Sequence, residues 1–222
     1  MIVHDVEQNS QEWLDLRVIP TASRMHEILT PKTREFSTQS EGYMDDLLVA
    51  HFLGVSDDGG SQFMDRGTDL EPAAISYLEF IESVKVERVG FVTLDDGSAG
   101  CSPDGLIGDD VGLEIKVKGA KEHMRGLRRG PQQHYCQVQA GLWITGRKRW
   151  WLFFYSPGLP PMRRIVERDE EFIGKLAAAV VQFNVRLAEA KATIQAMIEP
   201  VETPEPTLDG LRFPGEEYAN VI

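Results

Sequence analysis

Cysteine is scarce in this chain: Cys101 and Cys136 are the only two among 222 residues. That excludes a disulfide framework and leaves too few thiolates for a structural zinc or iron-sulfur site. Both are expected to be reduced packing residues. No apolar stretch approaches the ~20 residues of a membrane span. The N-terminal MIVHDVEQNS has neither the basic flank nor the apolar run of a signal peptide, so a cytoplasmic location is expected. Paired histidines are also missing. His26, His51, His123 and His134 have no partner at metal-ligand spacing and are read as structural or solvated. Positive charge is in deficit as well, with 23 Lys and Arg against 35 Asp and Glu and a net charge of −12, which at first argues against a polyanionic partner.

The average conceals an asymmetry. Residues 116–168 carry 12 Lys or Arg against only Glu122 and Glu167, a local balance of +10 that leaves −22 on the rest of the chain. A basic track on an otherwise acidic exterior would confine a polyanion to one path. The 42% hydrophobic content over this length suffices for a sizeable core.

The N-terminal third reads as short helices. Ser10 is an N-cap ahead of Trp13, Leu14 and Leu16, and a second helix is expected from Thr21, with Met25, Ile28 and Leu29 at helical spacing. Residues 30–40 are a polar loop. A third helix over 41–53 ends at Gly54. A fourth is expected from 69 to 83, because Pro72 is tolerable only in a first turn, which puts Glu71 at its opening. From Val84 the period changes to two, and turn signals recur at Asp96-Gly97, Asp104-Gly105 and Gly108-Asp-Asp, predicting a meander of short strands. A helix over 131–144, a strand pair at 150–155 and 162–166, and a long amphipathic helix over 169–197 follow. Trp143, Trp150, Trp151, Phe153 and Phe154 are expected in the core between sheet and helix. The order describes a mixed α/β (α+β) domain over 1–199 with a central sheet, and a proline-containing extended tail over 200–222.

The chemistry is concentrated in CSPDGLIGDDVGLEIK, where Pro103-Asp104 precedes Glu114-Ile115-Lys116 by ten residues. On a strand Glu114 and Lys116 share a face, and Asp104 arrives from the preceding turn. Two carboxylates converging with the Ile115 carbonyl between them make the hard oxygen site that Mg²⁺ prefers, where a bound ion would polarise a phosphodiester for in-line attack by water. Lys116 would hold or deprotonate that water, or neutralise charge on the phosphate.

The set resembles the PD-(D/E)-x-K nuclease motif. Trp13-x-x-x-Arg17, Thr21-Ala-Ser23, Arg66-Gly-Thr-Asp-Leu-Glu71-Pro, Cys101-Ser-Pro-Asp-Gly105, Gly112-Leu-Glu-Ile-Lys116 and Tyr135-Cys-Gln137-Val-Gln139 appear in the order seen in the lambda-type (viral recombinase) exonucleases. The likeness spans about residues 7–195. It implies a restriction-endonuclease-like core with a central mixed sheet flanked by helices, and a Mg²⁺-dependent 5′–3′ exonuclease acting on ends of double-stranded DNA. Such an enzyme releases 5′-mononucleotides and leaves 3′ single strands for recombination by strand annealing. Carried over residue by residue, Asp104 and Glu114 with the Ile115 carbonyl bind metal and Lys116 serves the water. Glu71 reaches a second metal or its waters; the ions number one or two, with Mn²⁺ the alternative to Mg²⁺. Arg17, Ser23, Ser102 and Gln137 resemble a 5′-phosphate pocket. Lys118, Lys121, Arg125, Arg128 and Arg129 form a DNA track, and Lys32 and Arg34 lie in a loop that could enter the duplex. The resemblance further implies a homotrimeric ring, a single-strand annealing partner, no membrane, and a phage or prophage origin with action in the bacterial cytoplasm. The loop between Arg17 and Thr21 is one residue shorter than in the lambda protein and holds Pro20.

Three other readings compete. A restriction-type endonuclease would share the core and cut closed circles. A DNA-end binding module without catalysis is opposed by the complete Asp104, Glu114 and Lys116. An acidic enzyme on a small substrate leaves the basic block unexplained. CRISPR-associated iron-sulfur nucleases require cysteines that this chain lacks.

Overall fold

Two apolar strands side by side, β5 (Val111–Val117) and β6 (Arg149–Tyr155), form the centre of the molecule. The computed structural model describes residues 1–54, 62–117, 119–129 and 134–198, with side chains throughout except those of 62–69. The tail expected over 200–222 and Lys118 lie outside the described residues. β5 and β6 run parallel, which requires a long crossover, and helices α4 (Ala120–Arg129) and α5 (Tyr135–Thr145) lie within it. β4 (Gly105–Ile107) and β7 (Met162–Glu167) close the two sides antiparallel, giving a mixed four-stranded sheet in the order β4-β5-β6-β7. A smaller antiparallel sheet holds β1 (Ile2–His4), β2 (Phe91–Thr93) and β3 (Gly100–Cys101).

Period two sorts the residues of the larger sheet. Leu113, Ile115 and Phe153 pack with Ala74, Ile75 and Leu78 of α3 (Gln62–Glu82), while Trp150, Leu152 and Phe154 pack with Val138 and Leu142 of α5. Trp150 fits because Gly112 and Gly141 give it room: a Cβ on Gly112 would stand 2.2 Å from the indole and one on Gly141 2.7 Å. A third cluster joins α2 (Ser40–Leu53), α5 and α6 (Glu170–Ile198) over the smaller sheet. Gly54 ends α2 in the left-handed conformation, φ 63°, as its position after the apolar face predicts. The expected strand pair and long C-terminal helix are present.

Three expectations are corrected. The segment opened by Thr21 is not an α-helix but a single 3-10 turn, Met25–Glu27, because Met25, Ile28 and Leu29 are drawn into the core through non-helical turns. The helix containing Glu71 begins at Gln62, not near 69, and accommodates Pro72 within it; Glu71 is therefore mid-helix and gains nothing from the helix N-terminus. The helix expected over 131–144 is present as Tyr135–Thr145, and its expected start at 131 lies outside the described residues. The single meander is split between two sheets, since β2 pairs with the N-terminal strand and β3 with β2, while β4 pairs with β5 and β5 with β6. No helix among the described residues is long and apolar enough to cross a membrane.

Candidate active site

Residues paired across a sheet ladder share a face, and Glu114 pairs with Leu152 and Lys116 with Phe154. Both therefore point to the side covered by α5. Glu114 is buried, 7% exposed. Its Oε1 accepts from Lys116 Nζ at 2.6 Å and from Gln137 Nε2 of α5 at 2.8 Å. Asp104 leaves the turn before β4, and its Oδ2 accepts from the backbone N–H of Ile115 at 2.5 Å, which fixes the carboxylate against the strand that carries Glu114.

The electrostatics are those of crowded like charges. Burial pushes Asp104 well above the usual carboxylate range, and the charges of Glu114 and Glu71 push it further. Glu71 is raised too, by burial and by Glu114, with Arg88 opposing; Arg88 Nη2 donates to it at 3.0 Å. For Lys116 burial favours the neutral amine, but the Glu114 and Asp104 carboxylates overcome it and the ammonium is held more firmly than usual. The charged form of Lys116 is thus the form at work here.

This donor set fits a hard divalent cation. The raised carboxyls of Asp104 and Glu71 would be relieved by positive charge. Among the described residues both donors to Glu114 use Oε1, which leaves Oε2 for a cation. No group of three or more His, Cys, Asp or Glu side chains stands ready to hold a metal among the described residues. An ion held here by the Asp104 and Glu114 carboxylates would have few protein ligands and would keep several waters.

Beside this set lies a cavity of about 40 Å³ lined by Arg17, Ser23, Ser102, Glu114 and Gln137, with Thr21, Cys101 and Trp150 among its other walls. All four expected phosphate-binding residues meet there. Ser23 is placed by a turn rather than a helix, with Thr21 Oγ1 3.3 Å from its hydroxyl and the Thr21 N–H donating to the Tyr43 hydroxyl at 2.8 Å. Arg17 ends α1 (Gln11–Leu16), whose N-cap Ser10 accepts from the Trp13 N–H. Both cysteines are free and buried; burial raises both thiols, that of Cys136 to about 12, so neither is a nucleophile.

The basic residues disperse. Lys121, Arg125, Arg128 and Arg129 line an open concavity of about 430 Å³ along α4, a helix that the apolar period did not predict. Its buried His123 donates from Nε2 to the Pro160 carbonyl, in the loop between β6 and β7, at 3.1 Å. Much of the rest of the block serves the fold: Lys148 pairs with Asp110, Arg163 with Glu82 and Arg168 with Glu170. Arg34 is tied to Asp169 at 2.8 Å and to Glu171 at 3.3 Å, while Lys32 is exposed. The sequence reading missed Trp13, Tyr43 and Arg88 as partners of site residues. Only Trp13 left a signal, four residues from Arg17 on a helix that buries nothing.

Comparison with known proteins gives the family and the fold. No curated protein matches the chain. Among solved structures the fold matches an alkaline exonuclease (LHK-Exo) from Laribacter hongkongensis with a TM-score of 0.76 at 26% identity, covering 85% of this chain and 97% of that one. That protein has also been solved in complex with dAMP. A phage-related exonuclease from Haemophilus somnus 129PT shares the fold, TM-score 0.66, at 13% identity over 81% of this chain and 96% of that one. These are restriction-endonuclease-like folds, as the resemblance implied. The YqaJ-like viral recombinase domain matches residues 12–148, a span that runs from before Arg17 to beyond Gln137, and the chain belongs to that family.

Proposed function

We propose that this protein is a Mg²⁺-dependent exonuclease that digests one strand of double-stranded DNA from its 5′ end, releasing 5′-mononucleotides and leaving 3′ single strands. At the coarser level it is a nuclease of the viral recombinase family acting on DNA. The observation that carries the finer reading is that one carboxylate belongs to both halves of the site. Glu114 accepts from Lys116 on the hydrolytic side and from Gln137, and with Gln137 it walls the Arg17 cavity. A terminal phosphate held in that cavity lies at a fixed spacing from the bond to be cut, so register is set by the protein.

The residues divide the work. Arg17, Ser23, Ser102 and Gln137 hold the terminal phosphate with charge and hydrogen bonds. Asp104, Glu114 and the Ile115 carbonyl would hold one Mg²⁺, with Glu71 toward a second ion or its waters and Mn²⁺ as the alternative metal. When bound, the ion supplies Lewis acidity at the phosphodiester and a water more readily deprotonated. Lys116, kept protonated by its neighbours, orients the attacking water and offsets charge on the pentavalent phosphate. The α4 cations track the backbone without reading bases. The dAMP bound by the Laribacter protein is a 5′-mononucleotide, the product class that stepwise cutting generates. The family resemblance supports a homotrimeric ring, a single-strand annealing partner and action in the bacterial cytoplasm.

The test is digestion of 5′-phosphorylated linear duplex beside covalently closed circular DNA in Mg²⁺. Mononucleotides from the linear substrate with an intact circle support the reading. Cutting of the circle would replace it with an endonuclease, and no change in either would leave a DNA-end binding module.

A further inference from the structure

The Trp13-x-x-x-Arg17 pair contains one residue with no role so far. Trp13 sits on α1, a six-residue helix with no buried side chain, and belongs to none of the three hydrophobic clusters. A half-buried tryptophan outside the core is not explained by packing. Its interactions point to the phosphate cavity. The indole Nε1 donates to the Ser102 hydroxyl at 2.9 Å, and the Arg17 guanidinium carbon lies 4.1 Å from the centroid of the ring. The four-residue spacing brings Trp13 and Arg17 onto one side of the helix, while Ser102 comes from the end of β3, 89 positions away in sequence.

We infer that Trp13 is a positioning residue for the 5′-phosphate, setting Ser102 as a donor and fixing the Arg17 charge at the cavity mouth; this rests on the cavity binding a terminal phosphate, as proposed above. An indole N–H can only donate, so it takes a lone pair of Ser102 Oγ and leaves the hydroxyl proton to be given elsewhere. In a cavity whose other polar walls include Arg17, Ser23 and Gln137, the acceptor that suits it is a phosphate oxygen. The ring meanwhile engages the guanidinium through its charge over the π face, not through the in-plane N–H groups that fork onto phosphate oxygens. One side chain thus orients two of the four phosphate ligands and touches none of the reacting atoms.

The experiment compares kcat/KM on linear duplexes ending in 5′-phosphate and in 5′-hydroxyl for the wild type, Trp13→Phe, Trp13→Ala, Ser102→Ala and the Trp13→Phe, Ser102→Ala double variant, with thermal midpoints measured in parallel. Trp13→Phe keeps a ring under Arg17 and removes the N–H, so the preference for 5′-phosphate is expected to fall about fivefold, mainly through KM, with little further decrease when Ser102→Ala is added. Trp13→Ala removes both interactions and should lower the preference by roughly thirtyfold. A wild type that prefers 5′-phosphate and a folded Trp13→Ala that keeps the full preference would overturn the role of Trp13 alone. Equal losses on both ends would also overturn it, by showing a general structural role. A wild type indifferent to the 5′-phosphate would overturn the phosphate cavity itself and the inference with it.

Discussion

The strand that carries Glu114 and Lys116 and the helix that carries Arg125, Arg128 and Arg129 are close in sequence and opposite in construction. β5 is bonded on both sides, by β4 and β6, and its acidic residue is buried. α4 is exposed along most of its length and is seated through His123 on the β6–β7 loop and through Gly126 against Phe154 of β6. Bond cleavage requires groups placed to fractions of an ångström, and the sheet centre supplies that placement. Backbone tracking requires charge near a moving strand, and a lightly seated helix is enough for it. Placement and grip are therefore expected to fail separately.

The largest separation should come from Asp104→Asn. It removes the carboxylate proposed to hold a metal while keeping an acceptor for the Ile115 N–H, so cleavage is expected to fall by about 10³-fold or more while binding of linear duplex, measured by fluorescence anisotropy, changes little. Retained cleavage would remove Asp104 from the chemistry. The converse variant combines Arg125→Ala, Arg128→Ala and Arg129→Ala. These changes should weaken duplex binding by roughly 10- to 100-fold and reduce the slope of log K against log salt by about 0.9 for each phosphate that is no longer neutralised. Single-turnover cleavage at saturating DNA should be nearly preserved. An unchanged salt slope would place the DNA elsewhere.

Two glycines extend the same contrast to stability. A Cβ on Gly112 would meet the Trp150 ring at 2.2 Å inside the sheet, so Gly112→Ala is expected to cost about 2–3 kcal/mol in denaturant unfolding. On α4, a Cβ at Gly126 would meet the Phe154 ring at 3.2 Å, and the gain in helix propensity, up to ~1 kcal/mol, offsets that approach. Gly126→Ala should lie within about 1 kcal/mol of wild type.

The smallest effect concerns pH. Asp104 and Glu71 are held above their ordinary values, so the folded chain binds protons there more tightly than the unfolded chain. Stability of the metal-free protein should consequently fall as pH rises from the ordinary carboxylate value through the raised one. Thermal midpoints in chelator across that window should show the fall for wild type and a flatter profile for Asp104→Asn. A profile unaffected by the substitution would contradict the crowding of charge at this site.

What is legible in the sequence follows the same division. Glu114 and Lys116 are legible because a strand alternates, and α6 because its apolar face repeats over 29 residues. α4 is hidden because its pattern is of charge, with a single buried residue, His123. Pro72 misplaces the start of α3, since a proline reads as a first turn even where a helix continues through it. The partition into two sheets depends on Ile2–His4 finding Phe91–Thr93 across about ninety residues, a pairing that no local period encodes. The cavity is legible only as separate motifs: Arg17, Ser23, Ser102 and Gln137 come from four segments that meet in the folded chain.

Hydrolysis is expected where Lys116 meets Glu114 and Asp104, and every functional role given to the other residues depends on that location. It is tested by release of mononucleotides from 5′-phosphorylated linear duplex in Mg²⁺ by wild type and Lys116→Ala, with duplex binding measured on the same preparations. The expected result is mononucleotide release by the wild type and none above background by a variant that still binds DNA. A variant that digests the duplex at the wild-type rate would contradict hydrolysis at this site.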